Sequence, residues 1–172
     1  MWSAHGWHAV QKLLPLGATV APVIIASNKM QLTNFSGGKA AYPVYLTIGN
    51  LPKALRWKPS AQACVLIAYL SVIKPVKKKG VLKKKLHLRN CELFHQSMVE
   101  VLSPLKEAGL KGEVMTSSDG KRHMVHPIIF SYVADYPEQC LVTCTKYGTC
   151  PKCCRRASTL EKITIGRDCT QT

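Results

Sequence analysis

The sequence predicts an α/β domain built on a mixed sheet with flanking helices. Short runs of β-branched and apolar residues recur along the chain, and one long stretch places apolar residues at helical spacing. The chain has 172 residues, of which 47% are hydrophobic, so it is long enough for one domain with a buried core. This composition indicates a folded protein rather than a disordered one.

The first half of the chain contains a short helix and three predicted strands. Residues 1–18 offer one apolar helical face that ends near Pro15, and we interpret them as a docking segment. Residues 20–27 and 43–48 are rich in β-branched and small residues and predict two strands. Residues 61–73 are apolar and predict a third strand, with a helix as the alternative that their length leaves open.

The second half predicts a long helix, a hairpin turn and one strongly apolar strand. Residues 90–108 have helical periodicity, and Gly109 fits a helix stop. An Asp-Gly pair at residues 119–120 suggests a hairpin turn. Residues 127–134 predict a central strand covered on both faces, which ends at Asp135. The predicted order along the chain is three strands, a helix, a strand and an acidic residue. This is the order of the first two-thirds of an RNase H-like domain.

The charge of the chain is strongly positive and unevenly distributed. Lysine and arginine number 24 against 9 acidic residues, which gives a formal net charge of +15 and indicates nucleic acid as the partner. We expect a basic loop that is solvated, directs the chain to the nucleus, or contacts phosphates, and these roles are compatible. The cations between residues 74 and 89, with no acid among them, are Lys74, Lys77, Lys78, Lys79, Lys83, Lys84, Lys85 and Arg89.

The chain start argues against secretion, and the longest uncharged stretch argues against a membrane role. No basic segment precedes the first apolar stretch as a signal peptide requires, so we expect the eight cysteines to be reduced. Residues 13–28 are apolar, yet a membrane span needs about 20 such residues. The stretch also contains Pro15, Gly17 and Pro22.

Cys150 and Cys153 have the two-residue spacing that lets one turn present two thiolates to zinc. A tetrahedral site needs two further ligands, and Cys144 and Cys169 are the candidates. The alternative is a reduced pair that binds no metal.

The remaining cysteines and histidines have no spacing typical of a catalytic or metal site. We expect Cys64 and Cys91 to be buried as small apolar residues. His95 lies on the long predicted helix, where we expect a packing role. His123 and His126 have no carboxylate spacing that supports acid-base chemistry.

Several segments together resemble the Plavaka-type transposases, relatives of the CACTA group. The first reads VIIASNKMQLTNFSGGKAAYPVYLTIGNLPKALRWKPS, and a later one reads SDGKRHMVHPIIFSYVADYPEQCLVTC. The resemblance covers nearly all of residues 1–154, and residues 155–172 contribute little to it. The segments that carry it, in order, are residues 23–60, 93–109, 118–144 and 145–154.

The resemblance implies an RNase H-like fold in which two aspartates and a glutamate hold two Mg²⁺ or Mn²⁺ ions. Such ions activate water or a DNA 3′-hydroxyl for attack on a phosphodiester. The family's first aspartate stands in a motif S-D-K-T-Q-L, and Asn28 occupies its position in SNKMQL. Asp135 in VADYPEQ matches the second aspartate, and we expect it to face Asn28 from the neighbouring parallel strand. Pro137 and Glu138 also fit a helix start, so Asp135 has an N-cap as its alternative role.

The third carboxylate of the family has no counterpart in a recognisable context, and Glu161 is the nearest candidate. We therefore expect a degenerate, truncated transposase fragment that binds nucleic acid without strand-transfer activity. One alternative is a non-catalytic basic module that binds DNA or RNA. Another is an active metal-dependent nuclease completed by a second chain. The expected organisation is a docking segment at 1–18, a partial RNase H-like core at 19–144, and a remnant of a zinc-binding insertion with a basic tail at 145–172.

Overall fold

A computed structural model describes residues 5–33, 39–72 and 83–153, together with Ser158. The fold is mixed α/β, as predicted. Its elements in chain order are α1 (His5–Leu13), β1 (Ala18–Ser27), β2 (Met30–Gln31), β3 (Ala40–Ala41), β4 (Pro43–Ile48), α2 (Lys53–Arg56), a 3₁₀ helix (Pro59–Ala61), β5 (Val65–Tyr69), α3 (Lys83–Lys111), β6 (Glu113–Thr116), β7 (Arg122–Val133) and α4 (Tyr136–Val142).

The chain divides into two compact units, and the division falls within α3. The first unit comprises Met1–Lys74 and Gln96–Val133, and it contains the main sheet. The second comprises Pro75–His95 and Ala134–Thr172, and it contains the first part of α3 together with α4.

The main sheet has five strands in the order β5-β4-β1-β7-β6. β1 and β7 are parallel, and the other neighbouring pairs are antiparallel. The parallel pairing runs from Ala18 opposite Met124 to Ala26 opposite Val133. The prediction that the strand ending near Asn28 lies beside the strand leading to Asp135 is therefore confirmed.

β1 forms the buried centre of the sheet. Its β-branched residues suit a strand packed on both faces, and Val20, Val23 and Ile25 are almost fully buried. Pro22 has no N–H for a ladder hydrogen bond, and the register with β7 shifts directly after Val23. This shift is a β-bulge, and it lies one residue after the proline that lacks a backbone N–H donor.

Helix α1 is attached to the start of β1 through Gln11. Its side-chain amide donates to the carbonyl of Ala18 at 2.7 Å, and its side-chain oxygen accepts from the N–H of Val20 at 3.0 Å. One polar side chain thereby satisfies two backbone groups of the strand. The helix ends at Leu13, just before Pro15, as predicted.

β5 lies at one end of the strand order and is shorter than the apolar run from which we predicted it. The residues before it include the 3₁₀ helix Pro59–Ala61. Its large apolar side chains are exposed: Val65, Leu66, Ile67 and Tyr69.

The long helix α3 confirms the predicted helix and extends it at both ends. The expectation of a loop across the whole basic run was wrong from Lys83 onward, because Lys83 is the first residue of α3. Lysine has a high helix propensity, so a lysine run supports a helix as well as a solvated loop. Lys74 and Lys77–Lys79 lie outside the described residues.

The C-terminal end of α3 packs against β7 through two glycines. Gly109 lies inside the helix rather than after it, and a Cβ atom there would be 2.7 Å from the carbonyl oxygen of Pro127. The helix instead ends before Gly112, which adopts a positive φ of 74°. The buried His126 donates from Nδ1 to the Gly109 carbonyl at 3.0 Å and satisfies a group at the helix end.

The predicted hairpin turn connects β6 and β7. Ser117 and the N–H of Lys121 both donate to the Asp119 carboxylate, and Gly120 has a φ of 80°. These bonds hold the pKa of Asp119 below its usual value, with the Ser117 hydroxyl contributing most. A Cβ atom on Gly120 would meet nothing within 4 Å.

Gly112→Ala and Gly120→Ala form a matched pair that separates backbone strain from steric conflict. Both place a side chain at a positive φ, which costs about 1–2 kcal/mol. Gly112→Ala also puts a Cβ atom 2.7 Å from Met124 Sδ and 2.8 Å from His126 Nε2. We expect a further loss of about 1–3 kcal/mol from this overpacking. Equal losses in urea unfolding followed by circular dichroism would contradict close packing at Gly112.

Candidate functional site

The carboxyl end of β1 presents Asn28 to solvent directly after a buried polar contact. Ser27 is buried, and its Oγ lies 2.5 Å from the hydroxyl oxygen of Tyr132 on β7. This bond joins the two parallel strands β1 and β7 at their carboxyl ends. Asn28 follows as the first residue beyond the strand and is exposed. Its position in the chain agrees with the end-of-strand location predicted for the first metal-binding residue.

Asp135 follows β7 by two residues and begins the next helix. It adopts an extended φ of −70° and ψ of 168°, and its Oδ1 accepts from the N–H of Glu138 at 3.0 Å. The proposed N-cap role is confirmed, and the Tyr136-Pro137 sequence starts the helix as proline near N1 favours. The cap engages one carboxylate oxygen, Oδ1.

Asn28 belongs to the first unit and Asp135 to the second, so their expected face-to-face placement stays a prediction. Asn28 offers a neutral amide oxygen where the resemblance implies a carboxylate. Mg²⁺ and Mn²⁺ favour anionic oxygen, and two adjacent dications increase that requirement. Asn28 therefore fits a site for two divalent metals less well than an aspartate would. Across residues 5–33, 39–72 and 83–153, no three His, Cys, Asp or Glu side chains are grouped to hold a metal ion.

Cys150 and Cys153 form a partly exposed pair near the end of the described chain. The N–H of Lys152 donates to Cys150 Sγ at 3.4 Å. That bond, followed by one from the Cys153 side chain, lowers the pKa of Cys150. A thiolate stabilised by backbone N–H is the form that binds zinc or acts as a nucleophile.

The further zinc ligands that we considered are not assembled around this pair in the described residues. Cys144 Sγ lies 3.2 Å from His95 Nε2, and Cys169 lies outside the described residues. His95 Nε2 also lies 3.2 Å from the carbonyl oxygen of Leu141, near the end of α4. These contacts confirm a structural role for His95, which satisfies a backbone group at a helix end.

The two cysteines that we expected to be buried differ in environment. Cys64 is exposed, so that expectation was wrong, because it lies in the connection before β5 rather than inside a strand. Cys91 is half-buried on α3, where burial and then the nearby Cys144 raise its pKa.

The basic run enters α3 with its charges in the first turn. Lys83–Lys85 begin the helix, no acid stands in that turn, and the Lys85 side chain is exposed. Cations at a helix N-terminus oppose the helix dipole. A bound anion would offset the lysine charges and favour the positive end of the helix dipole.

The family model of the Plavaka transposases matches residues 1–172. This chain belongs to the Plavaka transposase family. The match includes residues 155–172, which carried little of the resemblance by motif alone. No curated protein and no solved structure matches the chain. Membership in the Plavaka transposases indicates a transposase-related function.

Within residues 5–33, 39–72 and 83–153, this Plavaka chain has no helix long and apolar enough to cross a bilayer. Its described surface instead has a feature that sequence reasoning missed. Trp57 is 75% exposed after α2, within an acid-free segment that also contains Lys53, Arg56 and Lys58. The alternation of cations with an aromatic residue was the available signal, because lysine and arginine are mostly exposed.

Substitution of Asp135 tests its cap in the Plavaka chain separately from its charge. Asp135→Ala removes the acceptor for Glu138 N–H, so we expect the unit that contains α4 to lose about 0.5–2 kcal/mol of stability. Asp135→Asn keeps an N-cap acceptor, so its loss of stability should be only a small part of the loss in Asp135→Ala. The measurement is thermal unfolding of both variants at neutral pH. Equal losses would show that the negative charge, rather than the cap, stabilises the helix.

Proposed function

We propose that this Plavaka family chain binds DNA through phosphate contacts of its basic run and does not carry out strand transfer. The single observation that carries the loss of chemistry is Asn28, a neutral and exposed residue at the end of the central strand. The charge of the chain supports the binding. On this proposal the chain acts in the nucleus, to which the lysine run directs it.

The sheet supports an RNase H-like interpretation of the first unit. In that interpretation the first strand and the strand after the helix are parallel neighbours, and β1 and β7 have this relationship with α3 between them in the chain. β4 and β5 extend the sheet on the other side of β1 by antiparallel pairing. β6 adds an antiparallel strand that the resemblance did not imply.

The loss of catalysis follows from the donor at Asn28. In a two-metal mechanism the ions activate the attacking oxygen and stabilise the leaving one, and their placement must be accurate to fractions of an ångström. A neutral amide holds a dication more weakly than a carboxylate does. Asp135 alone retains the anionic character that the resemblance assigns to these two positions.

The binding of DNA follows from charge concentration rather than from a shaped pocket. Six lysines of the basic run are the proposed phosphate contacts: Lys77, Lys78, Lys79, Lys83, Lys84 and Lys85. Each neutralised phosphate releases condensed counterions, which favours binding without reading the sequence. The start of α3 would add the N–H groups of a helix N-terminus, which favour an anion.

Cys150 and Cys153 are proposed as half of a zinc site. The N–H of Lys152 and the lowered pKa of Cys150 support metal-binding thiolates. The other two ligands would come from Cys169 or from other residues outside the described part of the chain.

Duplex binding should fall steeply as salt rises, and the lysine run should account for the slope. Each lost phosphate contact reduces the log-log slope by roughly 0.9, so replacing the six lysines by glutamine should flatten it. A matched variant replaces six other lysines and changes the net charge equally. Its substitutions are Lys12, Lys39, Lys106, Lys111, Lys121 and Lys146 to glutamine.

Fluorescence anisotropy over a salt series compares these two variants with the unmodified chain. A slope that flattens only in the first variant supports contacts at the lysine run. Equal flattening in both variants would show that total charge governs binding, and an unchanged slope would assign the run to solvent.

Asn28→Asp should raise the affinity for Mn²⁺ without creating a nuclease. The substitution adds an anionic oxygen, so isothermal titration should detect tighter Mn²⁺ binding. No carboxylate after Asp135 has a context like that of the family glutamate, so we expect supercoiled DNA to remain intact.

The matched control for this nicking assay is Asp135→Asn, which removes the charge and keeps a cap acceptor for Glu138. Metal-dependent nicking by the unmodified chain that Asp135→Asn abolishes would overturn the proposal. That outcome would establish the alternative of an active nuclease with an unusual ligand set.

A further inference from the structure

Trp57 lies on the connection between β4 and β5 and presents its ring to solvent. The side chain is 75% exposed, although tryptophan is usually buried over most of its surface. Lys53 Nζ lies 4.7 Å from the ring centroid, which is within the range of a cation–π interaction. This contact uses one face of the ring, and the exposure leaves the other face accessible.

The backbone around Trp57 is held in place by local hydrogen bonds. The N–H of Trp57 donates to the carbonyl of Lys53 at 3.1 Å and closes the single turn of α2. Arg56 Nε donates to the carbonyl of Leu51 at 3.2 Å, and Pro59 starts the 3₁₀ helix that follows. A rigid aromatic side chain on a fixed turn loses little conformational entropy when a ligand binds.

The residues near Trp57 in the chain carry positive charge, and no acidic residue among them balances it. Lys53, Arg56 and Lys58 stand within five positions of one another, and residues 51–64 contain no acid. Lys58 is exposed beside Trp57. An accessible π-face with cations on both sides in the chain complements a ligand that has flat bases and a polyanionic backbone.

We propose that Trp57 is a stacking platform for an unpaired nucleobase, with Lys53 and Lys58 contacting the flanking phosphates. The ligand class is single-stranded nucleic acid, because the faces of paired bases are already covered by their neighbours in a duplex. The inference rests on the proposed function in one respect, since both require nucleic-acid binding. It adds a second surface that recognises unpaired bases rather than phosphates alone.

The experiment compares two probes of equal length that differ only in their bases. One is oligothymidylate, and the other is the same deoxyribose-phosphate chain with abasic residues. Trp57→Ala should weaken oligothymidylate binding at least about fivefold, as expected for loss of one stacked base. It should leave binding of the abasic chain and of duplex DNA unchanged. Trp57→Phe, which keeps a smaller π-face, should retain an intermediate affinity.

Leu55→Ala is the matched control, because Leu55 is 44% exposed on the same short helix and has no π-face. It should leave the affinity for both single-stranded probes unchanged. Thermal unfolding of each variant checks that the fold is intact, and an exposed side chain should contribute little to stability.

Several outcomes would overturn the platform. Equal losses for oligothymidylate and the abasic chain would show that Trp57 only supports phosphate contacts. Unchanged oligothymidylate affinity in Trp57→Ala, with duplex binding present, would reject the platform and leave the proposed function standing. A chain that binds neither duplex nor single strands would reject the proposed function and the platform together.

Discussion

The parallel pairing of β1 with β7 is the constraint on which the rest of the first unit depends. Parallel neighbours need a long crossover connection, and β4, β5 and the whole of α3 lie between these strands in the chain. β1 is the middle strand of the order, and most of its side chains are buried. The bond between Ser27 and Tyr132 closes this pairing at the point where Asn28 leaves the sheet. A substitution that weakens the pair would therefore disturb the sheet and the candidate metal-binding position together.

Structural and chemical demands coincide at Asp135. Its carboxylate begins α4 as an N-cap, and selection for helix stability alone would retain an acid or amide there. Asn28 has no such role in α4, so loss of chemistry would leave it free to change. On the proposed function, a chain that keeps its fold without strand transfer would keep an acid or amide at position 135 and could change at position 28.

The sequence was sufficient for features that depend on local chemistry. Runs of β-branched residues located β1 and β4 closely, and the residues after Asp135 located a helix start. It was insufficient where several structures satisfy the same local preference. The lysine run fits a helix or a loop, and α3 began inside it. Gly109 resembles a helix stop, yet it serves close packing on Pro127, which depends on a contact distant in the chain. The exposure of Trp57 likewise depends on tertiary packing that periodicity does not report.

The exposed apolar strand β5 has a consequence for the solution behaviour of the protein. An edge strand with apolar side chains on its surface can pair with the same strand of another molecule. The net charge of +15 keeps molecules apart through mutual repulsion at low ionic strength. Added salt shortens the range of that repulsion to about 3 Å at 1 M. If the proposed DNA binding holds, the salt that releases DNA would also let the β5 edges of two molecules pair, so colloidal stability and nucleic-acid occupancy would be linked.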